Sequence, residues 1–440
     1  MKRFSLALFA VLTLALPARA DVDIVEVTSP GGITAWLVQE PSIPFMALDI
    51  RFRGGASLDA LGKRGATNLM TGLLEEGAAD MDARAFARVT EALAASFSYS
   101  VRDDSLSISA RFLTENRDEA VALLRASIKE PRFDQDALTR VRDQVLSGIR
   151  SDAQDPNEIA TAAWRKMAFG THPYGSAYEG SVETVSALTR EDMIEAHANI
   201  FAKDRLYVAA AGDITPEALG AMLDTLLGDL PDTGAPMPEE AQLAISGGVT
   251  VIPYPTPQSV AMFGHAGIDQ DDDDFFAARV LNQVLGGGSF ESRLTQEVRV
   301  ERGLTYGVYS FLVPRDLAAT YQGQVASSNE TVAEAIEVIR DEWQKAATEG
   351  VTEEEIADAK TYMTGAYPLQ FDSNSAISRI MVGMQMLGLP IDYIPTRNER
   401  VEAVTVDDVQ RVAGYLLDPA GLHFVVVGQP VGLESGPLPN

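Results

Sequence analysis

The sequence predicts an α+β fold built from two similar domains, each a mainly antiparallel sheet covered by helices. Three observations carry that expectation. First, LTREDMIEAHANIFAKDRLYVAAAGD (residues 188–213) and VTVDDVQRVAGYLLDPAGLHFVVVGQ (residues 404–429) repeat one pattern at a constant offset of 216 residues. Thr189 meets Thr405, Asp192 meets Asp408, Leu206 meets Leu422 and Gly212 meets Gly428. Each copy reads as a capped helix, a short turn and an apolar strand ending in glycine. Second, NRDEAVALLRASI from Asn116 and NETVAEAIEVIRDEW from Asn329 read as Asn-capped amphipathic helices, each following an alternating strand, SLSISARF or TYQGQVA. Third, the Pro/Gly/acid-rich LPDTGAPMPEEAQLAISGG (residues 230–248) separates the two copies.

Taken in chain order, residues 1–20 (MKRFSLALFAVLTLALPARA) have a charged start, a short apolar run and small residues at Ala18 and Ala20. That is a secretory signal peptide, with cleavage expected near Ala20 and a periplasmic or secreted product. Residues 21–229 form the first domain, in which SFSYSV and LYVAAAG alternate as a half-exposed sheet requires. Residues 230–248 are the linker, residues 249–432 the second domain and residues 433–440 a tail. No later segment reaches the roughly 18 apolar residues of a membrane span.

Composition narrows the function classes. The formal net charge is −28, and losing Lys2, Arg3 and Arg19 with the signal takes it to −31, so nucleic acid is excluded as a partner. Cysteine is absent, which removes disulfides, thiolate nucleophiles and Cys-ligated metals. Stability has to come from core burial.

The motifs for chemistry are mostly negative. Four histidines, His172, His197, His265 and His423, are far apart, and none has a His or Glu at the spacing of a zinc helix. They read as turn, packing or surface residues. LGGGSF at Leu285 lacks the Lys and Ser/Thr of a phosphate loop and reads as a mobile loop at a helix end. DQDDDD (residues 269–274) lacks the Gly and terminal Glu of a calcium loop and reads as a solvated run opening a helix. Glu75 and Glu76 are adjacent, so on a helix they point apart and make no catalytic pair.

One stretch remains, SRLTQEVRVERGLTYGVYS (residues 292–310), which places Arg293, Arg299, Arg302, Tyr306 and Tyr309 in an acidic chain. A helix through Arg302, closed by Gly303, would run into a strand in which Tyr306 and Gly307 alternate across the sheet. Arg299 and Tyr306 could then approach each other across the turn and donate to a carbonyl or peptide backbone. A cation at a helix C-terminus beside a sheet tyrosine that packs on the core accounts for the same residues.

This stretch resembles the second-domain signature of the M16 (insulinase, or mitochondrial-processing-peptidase-like) metallopeptidases, in which an Arg and a Tyr seven residues later contact the substrate backbone beside zinc. Similarity extends through ITAWLVQEPSIPFMALDIRFRGGAS, THPYGSAYEGSVETVSALTREDM, LYVAAAGD and VLNQVLGGGSFESRL, over nearly the whole chain. The resemblance implies a duplicated two-domain fold. It also implies an H-x-x-E-H zinc helix in the first domain, where two His bind the metal and the Glu is the general base. The corresponding window, GATNLMTGLLEEGA, has Asn68 and Gly72 in place of the histidines and Thr71 in place of the base. The third ligand, a Glu, falls near Gly148. Neither amide, hydroxyl nor glycine supplies what zinc or water activation needs.

The resemblance therefore implies a degenerate, non-catalytic subunit that is inactive alone and holds no metal. Its partner in a heterodimer would be a zinc-bearing catalytic subunit, and its substrate a peptide or unfolded protein. Arg299 and Tyr306 would act in trans on that peptide, and Gly286, Gly287 and Gly288 would form a possible substrate loop. The alternative is a scaffold protein of the same fold with no role in proteolysis.

Overall fold

The computed structural model describes residues 22–435, so the expected signal peptide and the end of the expected tail lie outside the described residues. Alternating apolar and polar residues pair into two large sheets, beside a two-stranded hairpin of Gly77–Ala78 and Met81–Asp82. The first contains β1 (Val25–Thr28), β2 (Thr34–Gln39), β3 (Phe45–Arg53), β4 (Ser96–Val101), β5 (Ser105–Leu113) and β6 (Leu206–Gly212), ordered β1-β2-β6-β3-β5-β4. The second contains β7 (Gly248–Pro253), β8 (Gln258–Ala266), β9 (Thr305–Arg315), β10 (Ala318–Ser328) and β11 (His423–Gly428), ordered β9-β10-β8-β11-β7.

Apart from the extra β1, the two orders are the same. In each sheet one pair is parallel, β2 with β6 and β7 with β11, and every other pair is antiparallel. The repeat read from sequence is thus a repeat of topology. Both capping boxes form as well: Thr189 and Asp192 open the helix Arg190–Ile200, and Thr405 and Asp408 open Val406–Leu416.

The Asn caps do not form. Asn116 gives its amide to the Leu93 carbonyl, and Asn329 bonds Ser259, Gln429 and Thr256, while Val332–Glu349 starts after Thr331. At both positions a tertiary partner took the side chain that local pattern assigned to the helix end.

One face of each sheet packs on helices of its own half, forming two large cores. The opposite face is covered by a helix of the other half. Pro156–Phe169 lays Trp164, Ala160 and Ala168 on Met262, Val425 and Val427 of β8 and β11. Asn374–Met386 lays Met381, Val382 and Met384 on Ala209, Ala211 and Trp36 of β6 and β2. Because each half supplies the lid of the other, neither sheet is closed without its counterpart.

Residues 231–247 carry no helix or strand, yet they are tied down rather than slack. Ala235 N donates to the Asn199 carbonyl (2.9 Å), Ala241 N to Leu317 (2.8 Å) and Ala244 N to Ala168 (2.8 Å). Ala241, Leu243 and Ile245 pack beside Trp164.

Polar contacts fix the same seam. In the β4–β5 turn, Asp103 accepts from Arg64 (2.5 Å), Arg165 (2.7 Å) and, from the second half, Arg315 (3.4 Å). Asp104 accepts from the Tyr174 hydroxyl, which itself accepts from Leu317 N at 3.1 Å. Arg315 also lies over the Tyr174 ring, 4.9 Å from its centre. Buried Asp49 on β3 accepts from Ser109 and from Ser378 of the crossing helix.

Candidate functional site

The helix expected to carry zinc ligands is short, Ala66–Thr71, and starts at Gly65 in the left-handed region (φ 97°). Its free N–H groups are met by Asp59, which accepts from Gly65 N and Thr67 N at 2.8 Å and from Thr67 Oγ1 at 2.6 Å. Thr71, at the position of a general base, is buried, and its hydroxyl donates to the Thr67 carbonyl at 2.7 Å. It is committed to its own helix.

Gly72 follows as the helix cap and faces Val141 of the helix Gln135–Asp152; a Cβ there would lie 3.0 Å from the valine. Asn68 is half-buried, and Gly148 is exposed on the facing helix. An amide, a hydroxyl and two glycines do not fit a catalytic zinc, which takes about three His or carboxylate ligands plus water. Close by, burial and the Glu76 charge push the Glu75 carboxyl up, while Glu76 pairs with Arg140.

The histidines do not converge to replace these ligands; each has its own partner. His172 caps Pro173–Gly175 and accepts from Tyr174 N at 3.2 Å. His197 Nε2 contacts the Ile128 carbonyl at 2.6 Å. His265 Nε2 accepts from the Trp343 indole at 2.9 Å, and His423 sits between Ser246 O and Thr250 Oγ1. Burial is the main cause that pushes the last three below the usual imidazole value.

The arginine and tyrosine stretch sits on the rim of the second sheet. Its helix is a π-helix over Thr295–Glu301 rather than the expected α-helix through Arg302, and Gly303 turns the chain in the left-handed region (φ 63°). β9 then begins with a register shift between Thr305 and Val308. The irregularity leaves Tyr306 and Gly307 both exposed, where regular alternation would have sent one inward. Tyr306 is 86% exposed.

The three arginines differ in what they touch. Arg293 forms two bonds to Glu355, at 2.6 and 2.8 Å, and Arg302 pairs with Glu297. Arg299 is exposed and has no carboxylate partner among the described residues; its guanidinium lies over the Phe290 ring, 5.6 Å from the centre. Phe290 is 59% exposed, and its carbonyl accepts from Gln296 at 2.7 Å, tying the end of the glycine-rich loop to the π-helix. Tyr309 donates to Gln324 at 2.6 Å, and Gln324 in turn donates to Asn157 of the crossing helix at 2.7 Å. Arg299 rests on the loop, and no hydrogen bond joins it to Tyr306 among the described residues.

The glycines have separate tasks. Gly286 ends the helix Phe275–Gly286 and is buried where a Cβ would meet Ser310 Oγ at 2.6 Å, so it is a packing glycine. At Gly287 a Cβ would lie 2.6 Å from Gln283 Oε1, whereas Gly288 is in the left-handed region (φ 84°) with open space around it. Only Gly288 has the free, left-handed geometry of a turn. Sequence reasoning missed Phe290 and Gln283, for which spacing carries no signal.

A duplicated α+β fold with crossed lids, with a helix Ala66–Thr71 that carries no His or carboxylate and an exposed Arg/Tyr rim, matches a metallopeptidase-type fold. Comparison with known proteins agrees. Residues 35–181 match the model for insulinase, peptidase family M16, and residues 187–363 match the model for the peptidase M16 inactive domain. The chain belongs to the M16 family.

Among similar proteins, the non-peptidase homolog YmxG of Helicobacter pylori is 26% identical over 432 residues, spanning 97% of this chain and 98% of that one. An uncharacterized zinc protease of Mycobacterium tuberculosis is 27% identical over 395 residues, 89% of this chain and 90% of its own. The crystal structure of a peptidase M16 inactive domain from Pseudomonas fluorescens superposes with a TM-score of 0.86 at 28% identity, over 94% of this chain and all of that one. A protease from Helicobacter pylori shares the fold at a TM-score of 0.83 and 15% identity, over 92% of this chain and 99% of that one.

Proposed function

We propose that this chain is the non-catalytic, substrate-binding subunit of a heterodimeric M16 peptidase, exported to the periplasm, whose zinc and general base reside in a partner chain. The observation that carries the reading is the contrast among the arginines. Arg293 and Arg302 are neutralised by Glu355 and Glu297, whereas Arg299 and Tyr306 stand exposed on one rim without a carboxylate partner among the described residues. In trans, the Arg299 guanidinium would donate to substrate carbonyls and the Tyr306 phenol to the developing oxyanion. No helix among the described residues is long and apolar enough to cross a membrane.

The test is reconstitution. Copurification from the native source identifies the partner and its metal, and cell fractionation checks export. In the reconstituted pair, Tyr306→Phe and Arg299→Ala are each expected to lower kcat by about 100- to 1,000-fold, the range for losing an oxyanion donor. Unchanged turnover would leave the chain a scaffold. Stoichiometric zinc and peptide cleavage by the purified chain alone would overturn the reading altogether.

A further inference from the structure

The first sheet turns one face to its core and the other away from it, and strand register decides which side chains stand on the outer face. On the edge strand β4 these are Ser96, Ser98 and Ser100, all exposed. Beside them register places Ser107 and Arg111 of β5, and then Arg51 of β3. The crossing helix Asn374–Met386 covers β2, β6 and part of β3 but leaves this end of the sheet open.

The charge here runs against the rest of the chain. The protein as a whole carries −28, yet on this face cations outnumber acids. Arg51, Arg111 and, on the crossing helix next to Ser378, Arg379 form no ion pair among the described residues; Arg111 and Arg379 are exposed. Asp49 is the one carboxylate that β3, β4 and β5 turn to this side, and it is buried and already accepts from Ser109 at 2.5 Å and from Ser378. Arg51 is the least satisfied of the three. Its Nε is buried with no hydrogen-bond partner among the described residues, and its Nη1 meets the Met386 sulfur at 4.0 Å. Burial pushes its guanidinium below the usual arginine value; Asp49 opposes the shift and Arg379 adds to it. Contact with water accounts for Arg111 and Arg379 but not for the buried Nε of Arg51.

The spacing of the cations is that of an extended chain. Arg51 lies opposite Ser107, and Arg111 follows four positions along β5, about 13 Å at 3.3 Å per residue. In an extended peptide the side chains of residues i and i+4 stand on one side at that same distance. We propose that this face holds an acidic segment of a bound extended peptide, one carboxylate paired with Arg111 and a second, four residues away, with Arg51 and Arg379, while the serine hydroxyls donate between them. The proposal rests on the peptide-holding reading of the chain and gives it a substrate class, peptides with spaced Glu or Asp. It concerns the first sheet, whereas Arg299 and Tyr306 stand on the rim of the second.

The experiment uses the full chain and no partner. Fluorescence anisotropy compares an end-capped, dye-labelled Ser-Glu-Thr-Ala-Thr-Glu-Ser peptide with the same peptide carrying glutamine in place of both glutamates. The glutamate peptide is expected to bind about tenfold more tightly at low salt, with the difference shrinking as salt rises. Moving the second glutamate one position closer turns it to the other side of the chain and should cost most of that gain. R111Q/R379Q, both at exposed positions and checked for folding by their melting curves, should erase the preference for glutamate. R84Q/R88Q changes the net charge equally on a helix that packs, through Phe86 and Phe97, against the other side of the sheet, and should keep the preference. Equal binding of the glutamate and glutamine peptides, no binding of either, or an unchanged preference in R111Q/R379Q would overturn the proposal, as would equal losses in the two double variants. Displacement by inorganic triphosphate as efficient as by the glutamate peptide would make the face a small-anion site and refute the peptide assignment. In the same assay R299A/Y306F should keep the preference, so a failed acidic-peptide face and a failed role in trans give different patterns.

Discussion

The seam between the halves contains a carboxylate whose titration should be measurable as stability. Asp104, in the β4–β5 turn, has its carboxyl pushed up to about 6, chiefly by burial and further by Asp316 and Asp103; the Tyr174 hydrogen bond and Arg315 pull the other way. For an acid whose folded value lies above its unfolded value, the folded state binds the extra proton between the two. Its stability contribution is therefore full below about pH 4, is lost as pH rises toward 6, and is flat beyond. Two units at 1.36 kcal/mol each correspond to a penalty on the order of 2–3 kcal/mol at neutral pH. Asp104→Asn removes the charge but keeps an oxygen to accept from Tyr174. At pH 7.5 the variant should melt a few degrees above the parent, and the two curves should converge near pH 4. Differential scanning calorimetry of both proteins from pH 4 to 8 isolates the effect, because every other titrating group is common to them. Parallel curves over that range, or a variant that melts lower at pH 7.5, would refute the account.

Other outcomes follow from the same structure. Trp164→Ala empties the lid of the second sheet, where the indole is 0% exposed, and should cost about 3–5 kcal/mol in urea unfolding. Ser378→Ala removes a donor from buried Asp49 and should cost about 1–3 kcal/mol, while Ser378→Thr keeps the hydroxyl. Gly303→Ala meets no atom within 4 Å but forces a side chain to φ 63°, so a loss of about 1 kcal/mol measures backbone strain alone. Phe290→Ala takes away the ring on which Arg299 rests, and limited proteolysis should cut near residue 290 faster than in the parent, with the melting temperature little changed.

What could be read beforehand was what is encoded locally. The Thr189/Asp192 and Thr405/Asp408 boxes, the strands around Ala210 and Val426 and the duplication itself depend on residues within a few positions of one another. Asn68, Thr71 and Gly72 lie close together in the same way, in and just after the helix Ala66–Thr71. Misreadings occurred where a distant partner decides. Asn116 and Asn329 are claimed by Leu93 and Ser259, and the π-helix and the bulge after Thr305 override the regular periods that would have turned Tyr306 or Gly307 inward. Gln283 carries no sequence signal, because its burial depends on how the glycine-rich loop folds back against it.

The crossed lids also tie the first half to the rim of the second. The surface that carries Arg299 and Tyr306 belongs to a sheet whose other face is sealed by Pro156–Phe169, a helix of the first half. Tyr309, on the same edge strand, reaches that helix through Gln324 and Asn157. Deleting the first half would expose Met262, Val425 and Val427 and remove Trp164 from among them, a loss at about 25 cal/mol per Å² of apolar surface that no single rim contact offsets. The first half therefore cannot be removed without uncovering the sheet at whose rim Arg299 and Tyr306 stand.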